Sequence, residues 1–264
     1  MLSVRVVPCL DVKHGRVVKG VRFQGLADQG DPAALSAEYE LQGADEVVVL
    51  DVAATPEGRG TQLDTVRSVR ERLSVPLTVG GGVSDPDHAS SLLEAGADKV
   101  SVNTAAVRRP ALLTEMASRF GSQCVVVAID AARTEDGAPE DRFEVVVRSG
   151  TERTGLDAVD WARRAVEAGA GEILLTSFDR DGTRAGYDLP LIRAVRAAVD
   201  VPIIASGGAD TPHHMAEAVR AGADAVLAAS IFHQGDWTVG SLKEELAALG
   251  VPVRPPDPLS GGPA

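Results

Sequence analysis

Short β-branched runs alternate along this chain with glycine-rich or polar turns and then with amphipathic stretches, and the cycle occurs eight times. The strand-like runs fall at residues 4–10, 46–50, 77–79, 99–102, 125–129, 172–176, 203–205 and 225–228. Most are apolar without alternation, the pattern of strands covered on both faces in a parallel sheet. The intervening stretches predict helices over residues 32–42, 61–73, 86–95, 110–120, 156–168, 190–199, 211–221 and 241–249. Asp31-Pro32 and Asp85-Pro86 pair a capping carboxylate with a first-turn proline, and Asp188 stands just before Leu189-Pro190. Gly43, Gly96, Gly169 and Gly222, each followed by alanine, are expected to end helices. Eight strand–helix alternations in 264 residues predict a closed (β/α)8 barrel, a TIM barrel, rather than an open doubly wound sheet. The barrel is expected to span residues 1–253, with 254–264, rich in Pro and Gly, as a disordered C-terminal tail.

The second half of the chain echoes the first. The run VPLTVGGG at 75–82 returns as VPIIASGG at 201–208, an offset of 126 residues. Gly96-Ala97-Asp98 recurs at the same offset as Gly222-Ala223-Asp224, and Gly43-Ala44 as Gly169-Ala170. One offset shared by three motifs predicts a barrel built from two similar half-barrels. Asp11 and Asp130 end the first strand of each half at an offset of 119, and the difference falls in an extra polar segment at 131–150 with a short strand at 143–147.

Composition narrows the function. Hydrophobic residues make up 44% of the chain but aromatics only 3%, so the core must be built from Val, Ile, Leu and Ala. A net charge of −12 argues against a nucleic-acid partner, although local backbone donors can still hold a small phosphorylated ligand. No apolar stretch approaches the ~18 residues of a membrane span, and the N-terminus lacks the pattern of a secretory signal. Cys9 and Cys124 lie in apolar, strand-like runs and are expected to be buried free thiols in a reducing cytosol, so the chain reads as cytoplasmic. His14, His88, His213, His214 and His233 lack metal-ligand spacing and read as surface or capping residues, so no metal is expected. Trp161 and Trp237 read as packing residues.

Chemistry is expected where strands end, because the C-terminal strand ends of such barrels face the active site. Asp11 and Asp130 occupy two of those ends after apolar strands. One such carboxylate would read equally as a loop cap, but two at equivalent positions across one mouth favour acid–base catalysis. Asp51 ends the second strand and reads equally as an inward carboxylate or as a cap that orients a neighbour. Gly80, Gly81 and Gly82 follow the third strand, and Gly207 and Gly208 the seventh, where backbone N–H groups can approach an anion closely. Asn103-Thr104 and Ala229-Ser230 follow the fourth and eighth strands and lead towards helix starts, while Asp181-Gly182-Thr183 adds a loop to the second site. Two such anion sites, one in each half, predict a small substrate with two phosphates.

The segments PCLDVK at 8–13, GRVVKG at 15–20, GSQ at 121–123 with the strand to Asp130, and EILLTSFDRDGT at 172–183 resemble the cyclase subunit of imidazole glycerol phosphate synthase, a histidine-pathway enzyme. The resemblance runs from about Met1 to Val253. It implies a lyase without a cofactor that takes ammonia from a partner glutaminase. The reaction turns a phosphoribulosyl formimino aminoimidazole carboxamide nucleotide into imidazole glycerol phosphate and aminoimidazole carboxamide ribotide. The resemblance also implies Asp11 and Asp130 as the catalytic pair and Lys19, in the long loop after the first strand, as a residue closing over the substrate. Gly82, Asn103 and Thr104 would take one phosphate, and Asp181, Gly182, Gly208, Ala229 and Ser230 the other. Segment 131–150 looks longer than the family's.

Four charges stand at the other end of the barrel. Arg5, Glu46, Lys99 and Glu172 open the first, second, fourth and sixth strands. Taken alone they read first as a stability ring. The resemblance implies instead a salt-bridged gate that admits ammonia from a glutaminase docked on the N-terminal face, with Asp98 helping to contact that partner. No Ser-His-Asp or Cys-His nucleophile is evident, so glutamine hydrolysis is expected on another chain. Three other readings remain: the sister ketose isomerase of the same pathway, a phosphate-binding barrel without catalysis, and a scaffold for a glutaminase.

Overall fold

The computed structural model describes residues 3–21, 24–134 and 142–255. Eight strands form a closed parallel ring: β1 (Arg5–Lys13), then β4 (Val47–Asp51), β5 (Leu77–Gly80), β6 (Lys99–Val102), β7 (Val125–Arg133), β10 (Glu172–Ser177), β11 (Ile203–Ser206) and β12 (Ala225–Ala228). The ring closes where β12 pairs with β1, Arg5 opposite Ala225 and Pro8 opposite Ala228. Helices α1 (Pro32–Leu41), α3 (Leu63–Arg70), α4 (Pro86–Glu94), α6 (Ala111–Phe120), α7 (Ala158–Glu167), α8 (Leu189–Arg196), α9 (Pro212–Arg220) and α11 (Val239–Ala248) surround it. Short helices α2 (Ala54–Glu57), α5 (Thr104–Arg108) and α10 (Ser230–His233) follow strands β4, β6 and β12. Asp31, Asp85 and Asp188 cap α1, α4 and α8 by accepting from Ala34, His88 and Leu191 N–H, ahead of first-turn prolines.

Strand periodicity sorts the core into two layers. Val6 and Leu10 of β1 and Val125, Val127 and Ile129 of β7 face the helices, in the larger cluster. Val7, Cys9, Val48, Val126, Leu174, Ile204 and Leu227 face the barrel axis.

Two elements of the first half recur in the second. Asp98 Oδ2 accepts from Leu77 N–H and pairs with Arg70, both at 2.8 Å, and Arg70 also donates to Leu73 and Val75 C=O. At the offset of 126, Asp224 Oδ2 accepts from Ile203 N–H and pairs with Arg196, which donates to Val199 and Val201 C=O. Asp98 thus anchors an internal clasp, with its side chain still half exposed. In each half the first strand also runs past the ring into an antiparallel flap. β1 pairs with β2 (Arg16–Val21), which pairs with β3 (Gln24–Gly30); β7 pairs with β8 (Phe143–Val147), which pairs with β9 (Glu152–Asp157). Lys19 thus sits in β2 opposite Ala27 rather than in an open loop, and its side chain lies outside the described residues. Cys124 ends a 3-10 turn at Ser122–Cys124 and is half-buried, because β7 begins one residue later; Cys9 is buried as expected.

The C-terminal segment fastens the N-terminal end of the barrel. Val4 N–H donates to Pro252 C=O at 2.7 Å, and Arg254 donates to Asp45 and Ala44. Arg254, the first residue of the expected tail, is therefore held in place, while 256–264 lie outside the described residues. Lys243 of α11, only 1% exposed, donates to Gly43 C=O at 2.6 Å and pairs with Asp45 at 2.8 Å. Burial pulls its ammonium pKa down, against the opposing pull of Asp45. Lys243→Met keeps the stem but removes the charge from this buried pair, and is expected to lower the unfolding free energy by about 3 kcal/mol. Urea unfolding measures it, and a loss below ~1 kcal/mol, the size of a surface pair, would show that the clasp does not hold the barrel closed.

Candidate active site at the barrel mouth

Parity along the strands decides which side chains meet at the C-terminal mouth. Asp11 follows Val7 and Cys9 on the inward face of β1, and Asp130 follows Val126 and Ala128 on that of β7. They open onto a cavity of about 600 Å³, which Gly82, Asn103 and Thr104 line on one side and Asp181, Gly182, Gly208, Ala229 and Ser230 on the other. Apart from Lys19, the expected mouth residues therefore share one cavity.

The two carboxylates have unlike surroundings. Asp11 is 5% exposed, and the Cys9 thiol donates to its Oδ1 at 3.7 Å. Asp130 is half-buried; its Oδ2 accepts from Asn103 Nδ2 at 2.8 Å, and the Thr176 hydroxyl also hydrogen-bonds it. Burial, with smaller contributions from the charges of Asp181 and Asp11, pushes its pKa up to about 7, although Asn103 and Thr176 pull the other way. A carboxyl group near neutrality can both give and take a proton at physiological pH.

The anion-site turns share geometry as well as sequence. The residues that precede α5 and α10, Asn103 (φ −121°, ψ −91°) and Ala229 (φ −127°, ψ −69°), have closely similar backbone angles at the 126-residue offset. Neither helix is capped by a side chain, and both begin at the cavity. The glycines have a second reason to be there. A Cβ on Gly82 would stand 2.2 Å from Arg59 O and one on Gly208 2.2 Å from Gly186 O, and both have positive φ. Gly82 N–H donates to the Thr55 hydroxyl.

Asp51 was offered by the sequence with two readings, while several of its neighbours in the mouth escaped the sequence reading. Asp51 accepts from Ala53 and Ala54 N–H at the start of α2 and binds Arg59 with both oxygens, at 2.6 and 3.1 Å, and it also lines the cavity, so both readings of it hold. Arg59 lines the cavity; so does Arg184, which pairs with Asp210 at 2.5 Å and with Asp236. Neither arginine carries a local signal, since their partners come from other positions or loops. Thr176 was legible in principle, two residues beyond inward-facing Leu174.

At the opposite end Arg5, Glu46, Lys99 and Glu172 form a closed ring. Arg5 binds Glu46 at 2.6 Å and also Glu172; Lys99 binds Glu46 at 2.9 Å and Glu172 at 2.7 Å. Burial alone would raise the Glu46 pKa, but Lys99, Arg5 and the Thr78 hydroxyl together hold it below its usual value. The acids are buried and the cations partly exposed: side-chain exposure is 1% for Glu46 against 25% for Arg5. His233 accepts or donates at Tyr39 Oη, while His88 and His214 lie in the first turns of α4 and α9. Among the described residues no cluster of three metal-ligating side chains occurs, and no helix is long and apolar enough to cross a membrane.

Residues 5–238 match the model of a family described as "Histidine biosynthesis protein". The chain is 57% identical over 255 residues to the imidazole glycerol phosphate synthase subunit HisF of Nocardia farcinica, covering 96% of this chain and 99% of the relative. It is 57% identical over 253 residues to the protein of the same name from Streptomyces avermitilis, and 55% identical over 255 residues to that of Mycobacteroides abscessus, with the same coverage.

A folded-state pKa near 7 means that folded Asp130 keeps a proton that the unfolded chain has released. The stability linked to it is full below the unfolded value of about 4 and is lost as pH rises through about 7. Asp130→Asn is therefore expected to gain on wild type by roughly 2–3 kcal/mol between pH 5 and pH 8. Urea unfolding at the two pH values checks this. A stability difference independent of pH would mean that Asp130 titrates as an ordinary carboxylate.

Proposed function

The chain belongs to the imidazole glycerol phosphate synthase subunit HisF family, and from that premise we propose how its mouth and its charged ring divide the reaction between them. It is the cyclase subunit, a lyase of histidine biosynthesis, that combines ammonia with the formimino nucleotide to give imidazole glycerol phosphate and aminoimidazole carboxamide ribotide. Asp11 and Asp130 are the catalytic pair. Ammonia adds to the ribulosyl ketone, water leaves to give an imine or enamine, and the new nitrogen closes onto the formimino carbon, whose bond to the amino nitrogen of the carboxamide ribotide then breaks to release that product. Each step moves a proton, which two carboxyl groups flanking one cavity can donate and accept. The observation that carries this reading is the pairing of Asp130, with its pKa of about 7, with the buried carboxylate of Asp11 at the equivalent strand end.

The two phosphates lie one in each half: at Gly82, Asn103 and Thr104, and at Asp181, Gly182, Gly208, Ala229 and Ser230. The uncapped starts of α5 and α10 support this, because first-turn N–H groups favour an anion. Holding both ends of the substrate fixes the reacting centre between the aspartates. Lys19 is assigned to closing over it. A partner subunit is implied by the relatives' name, and we place its glutaminase on the N-terminal face, where the ring of Arg5, Glu46, Lys99 and Glu172 gates ammonia. Cys9 and Cys124, which are not joined in a disulfide, fit a cytosolic setting.

Purified protein supplied with the formimino nucleotide and an ammonium salt is expected to form the imidazole product. Asp11→Asn and Asp130→Asn should each lower kcat by ~10²-fold or more with little change in substrate affinity. Turnover close to wild type in either variant at saturating ammonia would remove that aspartate from the mechanism.

The gate is tested by Lys99→Ala with the partner glutaminase present. Ammonia added to solution enters from the substrate side, whereas ammonia made by the partner must cross the ring. The ratio of glutamine-dependent to ammonia-dependent turnover should therefore shift in the variant. Stranding a buried charge costs several kcal/mol, so the ratio is compared at matched folded fraction. An unchanged ratio and unchanged coupling would leave the four charges as a stability ring.

A further inference from the structure

The half-barrel repeat places a histidine at the same position in each half, in a setting that the reaction chemistry does not use. His88 and His214 are separated by the common offset of 126, and both stand in the first turn of the helix that follows a glycine turn. Each is rooted through its backbone: His88 N–H donates to Asp85 Oδ1 at 2.9 Å, and His214 N–H to Thr211 Oγ1 at 3.3 Å. Each ring lies against a glycine of the neighbouring loop, again 126 apart. A Cβ on Gly60 would stand 2.5 Å from His88 Cε1, and one on Gly186 would stand 3.2 Å from His214 Cδ2.

Those glycines connect directly to the anion-site turns. Next to Gly60, the Thr61 hydroxyl donates to Gly81 C=O, and Arg59 on its other side presses its carbonyl against Gly82. In the second half Gly186 N–H donates to Gly208 C=O at 2.8 Å, and the next residue, Tyr187, donates from its hydroxyl to Leu227 C=O at 2.9 Å. The neighbours have diverged: Asp85 matches Thr211, Thr61 matches Tyr187, and Arg59 matches Ala185. The imidazole and the glycine beneath it are the same in both copies. The His214 Nδ1 is buried without a hydrogen-bond partner among the described residues.

We propose that His88 and His214 are positioning residues, one for each half, whose rings hold the Gly60 and Gly186 loops against the anion-binding turns. This rests on the two-phosphate reading of the mouth. Removing a ring leaves a space beneath the loop, and the loop must then be ordered at the expense of ligand binding. The defect should stay within the half that lost its ring, since the two turns lie on opposite sides of the cavity.

The test is titration of the purified barrel with inorganic phosphate, read by NMR at the backbone amides of Gly82 and Thr104 for one half and Gly208 and Ser230 for the other. His88→Ala is expected to weaken binding at the first pair by roughly five- to tenfold and to leave the second within about twofold, with His214→Ala giving the reverse. In turnover with ammonium salt, each variant should raise KM for the nucleotide while kcat stays within about twofold of wild type. His88→Phe and His214→Phe, which keep a flat ring, should restore most of the affinity. Equal weakening in both halves, unchanged affinity in both, or Phe variants as defective as Ala would overturn the proposal. Wild-type amides that do not respond to phosphate would overturn the two-phosphate reading and this inference with it.

Discussion

Closing eight parallel strands into a ring forces every second side chain of each strand onto a narrow axis that the helices cannot reach. Arg5, Val7, Cys9 and Asp11 share that face of β1, and Glu172, Leu174 and Thr176 share that of β10. Charges are tolerable there only at the two ends, and each end meets the requirement differently. At the N-terminal end each buried acid accepts from both cations, so no charge of the ring is left alone. At the C-terminal end the acids keep a cavity and neutral donors instead. Asp11 stands six positions beyond Arg5, roughly 20 Å along an extended strand, with the Val7, Val126 and Leu174 layer between. Asp130 therefore responds to burial and to its near carboxylates rather than to the cations of the ring.

The same geometry shows where the duplicated halves have parted. Glu46 and Glu172 are equivalent by the offset of 126, so the two acids of the ring face each other across the pseudo-twofold axis. The cations are not duplicated, because both come from the first half. The position equivalent to Lys99 is Ala225, and Ala225 is the residue opposite Arg5 in the β12–β1 register. A small side chain there leaves the end of the axis to the Arg5 guanidinium, which then spans both acids. The clasps of Arg70 with Asp98 and Arg196 with Asp224 kept their form in both halves, as befits groups that hold the scaffold.

Legibility in the sequence followed burial. All eight ring strands were visible because they are apolar on both faces, and their inward charges stood out against that background. β2, β3 and β9 were not visible: RVVKGV, QGLADQG and ERTGLD mix glycine and charge, and antiparallel flaps need only one apolar face. Segment 131–150 was noticed as extra sequence, but its pairing with β7 was not, because the register depends on a partner strand rather than on local pattern. Among mouth residues, the aspartates and glycine turns were legible from position alone. Arg59 and Arg184 were not, since each is defined by a contact made only after folding, and the same contacts were needed to choose between the two readings of Asp51.

A chain of net charge −12 for which a doubly phosphorylated substrate is proposed needs a local source of attraction, and the arginines around the cavity do not supply it unaided. Arg59 is held by Asp51 and Glu57, Arg108 by Glu152, Arg109 by Glu115, and Arg184 by Asp210 and Asp236. What faces the cavity without a side-chain cap is the start of α5 on one side and of α10 on the other. Backbone dipoles attract an anion over the first turn only, so they hold the ends of a ligand without neutralising the centre of the mouth. The centre then stays acidic, with Asp11, Asp130 and Asp181 in one cavity. Two phosphates at its edges, as proposed, would add like charge and favour the protonated form of Asp130 further. In the proposed mechanism, catching the substrate by backbone at its ends and leaving the middle to carboxyl groups is thus what would keep a proton available where the ring must close.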